Sequence, residues 1–203
     1  MKTSKFSKTS LWNTSFIRGV HRANRYNLNF KFPPNINIKM GLPYAPQAYA
    51  KVLNDMCTNC TIPTGSISTN PHRIMGEVYE MPYERNYAEA TFTFYFDNDG
   101  MAYSIINAWL GMVFNPKTKR YGYPEEYWGE IEVELIKTEL SNGKLTDYVA
   151  SKTTLQSAFP KAVTPINLTG MSGSQPTQFD VTFSFRNSYT VGLHDEMSNF
   201  IPQ

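Results

Sequence analysis

Two cysteines, three histidines and a run of evenly spaced glutamates are the groups in this 203-residue sequence whose types and spacing invite chemistry. Cys57 and Cys60 stand as C-T-N-C, the interval of a zinc knuckle or a redox pair. A structural zinc site takes four ligands, yet there is no second cysteine pair, and His21, His72 and His194 lie far apart without ligand spacing. A thioredoxin-like pair opens a helix after a buried strand, whereas this one runs into Thr61-Ile62-Pro63. The two are therefore read as ordinary thiols, with no metal or cofactor expected, and so few cysteines suit a reducing compartment. Glu130, Glu132 and Glu134 alternate with Ile131, Val133 and Leu135, which places three carboxylates on one strand face about 7 Å apart. Acid–base catalysis needs two carboxyls held in different environments. Three equivalent ones repel one another and are expected to form an exposed, wet face. With no glycine-rich phosphate loop, G-x-S-x-G elbow or H-E-x-x-H helix, the expectation is a protein that is not an enzyme.

Charge is unevenly placed. The first 54 residues hold nine of the 19 bases and none of the 17 acids, so a basic arm precedes an acidic body. Lys2, Lys5, Lys8, Arg18, Arg22 and Arg25 are its candidate contacts to a polyanion or an acidic neighbour; a solvated terminus is the plainer reading. Tyr121, Tyr123, Tyr127 and Trp128 cluster beside Pro124. They could stack on bases or sugars, but packing and interface anchoring explain them more simply. A nucleic-acid-binding β module using the arm thus stands as an alternative from another functional class.

The elements that must position these groups centre on residues 90 to 114. Phe92, Phe94 and Phe96 alternate with Thr91, Thr93 and Tyr95 as in a half-buried strand; Asp97-Asn-Asp-Gly100 then turns the chain, with Asn98 or Asp99 expected to cap a helix from Met101. That helix is apolar around most of its circumference, so it is expected to be covered. Its length of about fourteen residues falls short of the roughly twenty that span a bilayer. A sheet on one side and a neighbouring subunit on the other would do it, making Ile105, Ile106, Trp109, Leu110, Tyr127 and Trp128 candidate subunit-interface residues.

Around this centre, Tyr26, Leu28, Phe30 and Phe32 alternate as a first strand ended by Pro33-Pro34. Residues 33–60 form a long proline-rich insertion, with a helical turn or two through Gln47–Met56, and residues 61–69 and 73–83 read as short strands. Asn142-Gly143 between two strand patterns is a type I′ hairpin signal, so residues 145–155 should return antiparallel to 130–140. Phe179, Val181, Phe183 and Phe185 mark the last strand. The organisation expected is a basic N-terminal arm at 1–24, one mainly β domain at 25–191 and a C-terminal tail at 192–203. No signal peptide or membrane span is expected.

Taken in order, Arg25-Tyr-Asn-Leu28, Ile62-Pro-Thr-Gly65, the strand–DNDG–helix unit ending in Ala108-Trp109, and Thr177-Gln-Phe-Asp-Val-Thr-Phe-Ser-Phe185 form a recognisable series. The chain resembles the tail tube family of contractile-tailed, T-even-like phages over residues 25–32 and 61–191. What the resemblance implies is an antiparallel β-sandwich or barrel with one packed helix, assembling as a hexameric ring within a virion tail built in the host cytoplasm. Stacked rings would form the conduit for DNA ejection, with sheath outside, tape-measure protein inside and baseplate proteins at one end. Glu130, Glu132 and Glu134 then become candidate lumen-facing residues, letting DNA pass without specific binding, with an outward face covered by solvent or sheath as the alternative. The insertion at 33–60 and the Pro124-Glu-Glu-Tyr-Trp-Gly-Glu-Ile-Glu-Val133 run also resemble the baseplate-proximal initiators of the same family.

Overall fold

The computed structural model describes residues 24–33, 36, 45–141, 144–166 and 176–192. The arm with Lys2, Lys5, Lys8, Arg18 and Arg22, the Asn142-Gly143 turn and the tail beyond Gly192 lie outside them.

The protein is mainly β and antiparallel. One sheet runs β1 (Tyr26–Lys31), β8 (Gly129–Ser141), β9 (Lys144–Val163), β10 (Gln178–Ser184), β5 (Ala90–Tyr95), β2 (Cys57–Cys60), with β11 (Asn187–Gly192) paired to β9. The sheet folds into two layers because β9 serves both. Its first part pairs with β8 and β11, its last with β10. Between them Ser157 has φ 54°, the left-handed conformation of a bulge that bends a strand. The layer β1-β8-β9-β11 therefore faces the layer β9-β10-β5-β2, and alternation decides what lies between. Leu28, Phe30, Ile131, Val133 and Leu155 meet Phe92, Phe94, Phe179, Val181 and Phe183, all buried. Phe30 crosses the gap, its ring 6.1 Å from Phe92 and 6.3 Å from both Phe94 and Phe183.

Two helices close the sandwich. Helix α1 (Pro46–Met56) begins on a proline, which suits a first helical position because its missing N–H has no partner there anyway, and it buries Tyr49 and Leu53. With β2 it gives regular structure to the second half of the expected insertion.

Helix α2 (Met101–Val113) starts where the turn predicts, with a different cap: Asp97, not Asn98 or Asp99, accepts the N–H of Met101 at 3.1 Å and of Ala102 at 3.3 Å. Gly100, at φ 62°, lets the chain turn between them. The cover of α2 also corrects the sequence reading. Ile105, Ile106 and Trp109 are fully buried within one chain, Trp109 packing against Phe32 at 5.3 Å and Phe183 at 5.6 Å. They are core residues, packed in the same cluster as the inward faces of both sheet layers, and leave no surface for a subunit interface. Leu110 stays partly exposed. Gly129 is required beneath the helix, since a Cβ there would stand 2.6 Å from the Lys31 carbonyl and 2.8 Å from the Trp109 ring.

The expected short strands at 61–69 and 73–83 are instead one long hairpin, β3 (Gly65–Ile74) and β4 (Glu77–Tyr87), turning at Met75 (φ 51°) and Gly76 (φ 91°). After α2 come a two-residue ladder, β6 (Phe114–Asn115) with β7 (Arg120–Tyr121), and one turn of helix, α3 (Pro124–Tyr127). The β8–β9 hairpin forms as expected, to Ser141 opposite Lys144. Among the described residues no helix is long and apolar enough to cross a membrane.

Candidate functional site

Strand alternation that sends Ile131 and Val133 inward sends Glu130, Glu132 and Glu134 to the outer face of the β1-β8-β9-β11 layer, as expected. Their environment is not the expected one. Register places Asn27, Asn29 and Lys31 of β1 beside them on one side and Lys152 and Thr154 of β9 on the other. Glu132 accepts hydrogen bonds from Lys31 Nζ at 2.7 Å and Asn29 Nδ2 at 2.9 Å, and pairs with Lys152 Nζ at 2.8 Å. Lys31 also reaches Glu130 at 3.3 Å, and Lys152 reaches Glu134 at 3.6 Å, where Asn27 donates at 3.3 Å. Glu132 is only 4% exposed, which corrects the expectation that all three carboxylates are wet.

Burial by itself pushes the Glu132 carboxyl up, but the hydrogen bonds from Lys152, Lys31 and Asn29 outweigh it and hold the group at about 2. Hydrogen bonding to Glu132 raises both lysines in turn. Three carboxylates against two ammonium groups leave this face near neutrality, a cross-strand lattice and not a row of bare negative charge. A carboxylate fixed as an anion between two lysines neither gives nor takes a proton near neutral pH, so Glu132 serves to hold the strands in register.

Among the described residues no further strand pairs with either border of this layer: β11 pairs with β9 alone and β1 with β8 alone. At the outer side of β1, Asn54 of α1 accepts the N–H of Leu28 at 2.8 Å, so one backbone donor is already occupied. Arg25, just before β1, gives its carbonyl to the N–H of Ile136 at 3.0 Å. Of the residues expected at an interface, Tyr127 and Trp128 are partly exposed; the Tyr127 carbonyl accepts from Trp109 Nε1 at 2.7 Å, and its ring lies 5.3 Å from Phe159. Tyr121 and Tyr123 are well exposed on a turn with Lys117, Lys119 and Arg120, whereas Trp128 is partly exposed with its ring 6.3 Å from that of Tyr127.

Sequence reasoning missed the β3–β4 hairpin as a surface. It leaves the body at Gly65 and Tyr87, anchored by the Tyr87 ring 5.5 Å from Phe185 and the Ala88 N–H on the Thr64 carbonyl. Ile67, Val78, Tyr79, Met81 and Tyr83 are each half exposed or more, and Met75 at the tip is fully exposed. By register Ile67 and Val78 lie on one face and Tyr79 and Met81 on the other. Ten-residue strands reach about 33 Å. Two strands without a third are marginal in water, and an arm that exposes apolar side chains on both faces, interleaved with charged ones such as Arg73, Glu77 and Glu80, is suited to contact with other surfaces. Alternation, the signal used elsewhere in this sequence, is absent from it for that reason. No cluster of three or more His, Cys, Asp or Glu side chains that could hold a metal occurs among the described residues, and Cys57 and Cys60 are free thiols.

The family model described as phage tail tube protein matches residues 21–191. No curated protein matches the sequence significantly. Solved structures share the fold at low identity. A chain of the anti-feeding prophage baseplate is 14% identical, covering 96% of this chain and 99% of its own, with a TM-score of 0.52. The tube-terminating cap of the same particle is 13% identical over 85% of this chain and 91% of its own, at 0.55. A chain of the sheath–tube complex of the PVC extracellular contractile injection system is 11% identical over 93% of this chain and 100% of its own, at 0.53.

Proposed function

We propose, from the premise that this chain belongs to the phage tail tube protein family, that it is the subunit of a hexameric ring whose strands join edge to edge around a bore. The observation that carries this reading is the β1-β8-β9-β11 layer, apolar toward the core, polar on its outer face and, among the described residues, without a further strand at either border. Exposed strand borders are a liability in a lone protein, which normally blunts them. Here β1 of one copy meets β11 of the next, and ring closure exchanges the Asn54 contact with Leu28 for a strand ladder. Six copies of four strands, about 4.8 Å apart and tilted by roughly 40°, close a barrel about 48 Å across at the backbone. The fold neighbour determined with six-fold symmetry supports that number.

In this ring Glu130, Glu132 and Glu134 with Lys31 and Lys152 line the bore. A nearly neutral lattice offers passing DNA no cluster of free cations, and it is free cations that make nucleic-acid binding tight and salt-dependent. The β3–β4 arm, with apolar side chains exposed on both faces, contacts the ring stacked beside it. Sheath, tape-measure and baseplate proteins are the further partners, the virion tail is the place of action and the host cytoplasm the place of assembly. The role is structural and uses no cofactor.

A second reading is a baseplate-proximal initiator ring of the same family; the baseplate neighbour aligns with 96% of this chain, beside 93% for the sheath–tube neighbour. Light scattering and negative-stain imaging of the purified full chain test the shared claim. Particles of six times 23.2 kDa with a central hole are expected. Monomer alone across concentrations and salt overturns it.

A further inference from the structure

The cysteines that spacing marks as unremarkable are brought together by a defect in β2. Cys57 stands opposite Phe94, Asn59 opposite Thr93 and Cys60 opposite Phe92. Thr58 is thus an extra residue, a bulge, held by its hydroxyl on the Thr93 carbonyl at 3.2 Å. Residues three apart on a regular strand point to opposite faces, but the bulge restores phase. Cys57 and Cys60 share the face of Phe92 and Phe94, and both pack against the core at the sheet's border. Their Cα atoms, in register with residues two apart on β5, are separated by roughly 6.8 Å, the upper end of the Cα span of a disulfide, so closure requires the bulged backbone at Thr58 to shift and draw the two Cβ atoms together. Both thiols line one surface cavity of about 700 Å³ with Tyr26, Asn54, Ile62 and Leu135. The Tyr26 hydroxyl lies 3.2 Å from the Cys57 carbonyl and 4.0 Å from its sulfur.

We propose that Cys57 and Cys60 are a closable dithiol, a modification site at which a small-molecule disulfide forms an intrachain bridge across the β2 bulge. The thiolate of Cys60, the less enclosed of the two, attacks one sulfur of oxidised glutathione, whose S–S bond breaks and releases one glutathione thiolate. Cys57, having lost its proton to solvent or to that leaving group, then attacks the Cys60 sulfur of the mixed disulfide and releases the second glutathione. Two protein thiols are oxidised to one disulfide, and one glutathione disulfide is reduced to two thiols. Burial raises both cysteines, Cys57 to about 12, so exchange is slow at neutral pH and quickens in mildly alkaline buffer. The bridge fastens a border strand that among the described residues pairs on one side only, and it forms on passage from reducing to oxidising surroundings. This rests on the β2–β5 register and is independent of ring formation.

Intact-mass spectrometry and non-reducing peptide mapping of the folded full chain with excess oxidised glutathione test it. The expected product has lost two hydrogens, about 2 Da, and carries Cys57 joined to Cys60. Cys57→Ser and Cys60→Ser should each retain a glutathione adduct instead. A wild-type chain that keeps the adduct, cross-links between copies, or stays unreacted where the same chain in denaturant closes, overturns the proposal.

Discussion

Glu132 shows how one residue's position settles its chemistry. Nearly enclosed, it survives as an anion because Lys31, Lys152 and Asn29 supply what water no longer does. Its folded-state pKa, about 2 against an ordinary 4.5, is depressed. The stabilisation is therefore full above pH 4.5 and is lost as pH falls toward 2. With both lysines more than a third exposed, the gain is discounted to about 1–2 kcal/mol. Acid titration of unfolding should show this loss in the wild type and not in Glu132→Gln. Equal acid sensitivity of the two would refute the assignment. At Gly129 the obstacle is backbone and indole, so Gly129→Ala should lower stability by about 2 kcal/mol or more, read as the chemical denaturation midpoint.

Elements differ in what they owe to one chain. Helix α2 belongs to the monomer: Trp109→Ala should cost about 3–5 kcal/mol of unfolding free energy whether or not copies associate, a value measurable on the dilute chain. The β3–β4 arm behaves in the opposite way. Val78→Asp with Met81→Asp places charge on both exposed faces, so monomer stability should stay within about 0.5 kcal/mol while stacked particles shorten or vanish in electron micrographs. A large drop in monomer stability would show that the arm folds against its own body.

What was legible in the sequence follows the same division. The alternation of Phe92-Thr-Phe94, Ile131-Glu-Val133 and Phe179-Asp-Val181 reports burial on one face, and the structure places each of those apolar residues in the core. The Asn-Gly pair predicted the β8–β9 hairpin through local backbone preference. Three features were beyond that logic. Lys31 lies 101 positions from the glutamate it neutralises. The bulge at Thr58 depends on register with β5, and the arm has no alternation because neither face meets its own core.

At the scale of the whole molecule, the corrected role of α2 moves the argument for assembly. A greasy helix in need of cover no longer supports it; family membership, two strand borders without a further strand among the described residues, and an arm with apolar side chains exposed on both faces do. Leu110, Tyr127 and Trp128, still partly exposed, remain the parts of the expected interface that another copy can reach. The most direct measurement is a cryo-electron-microscopy reconstruction of the assembled particle at a resolution that separates strands. The account predicts six copies per ring, β1 of each hydrogen-bonded to β11 of its neighbour, and the Glu132 face toward the bore. Rings that leave β1 and β11 unpaired, or that turn the Glu132 face to the outside, would contradict it.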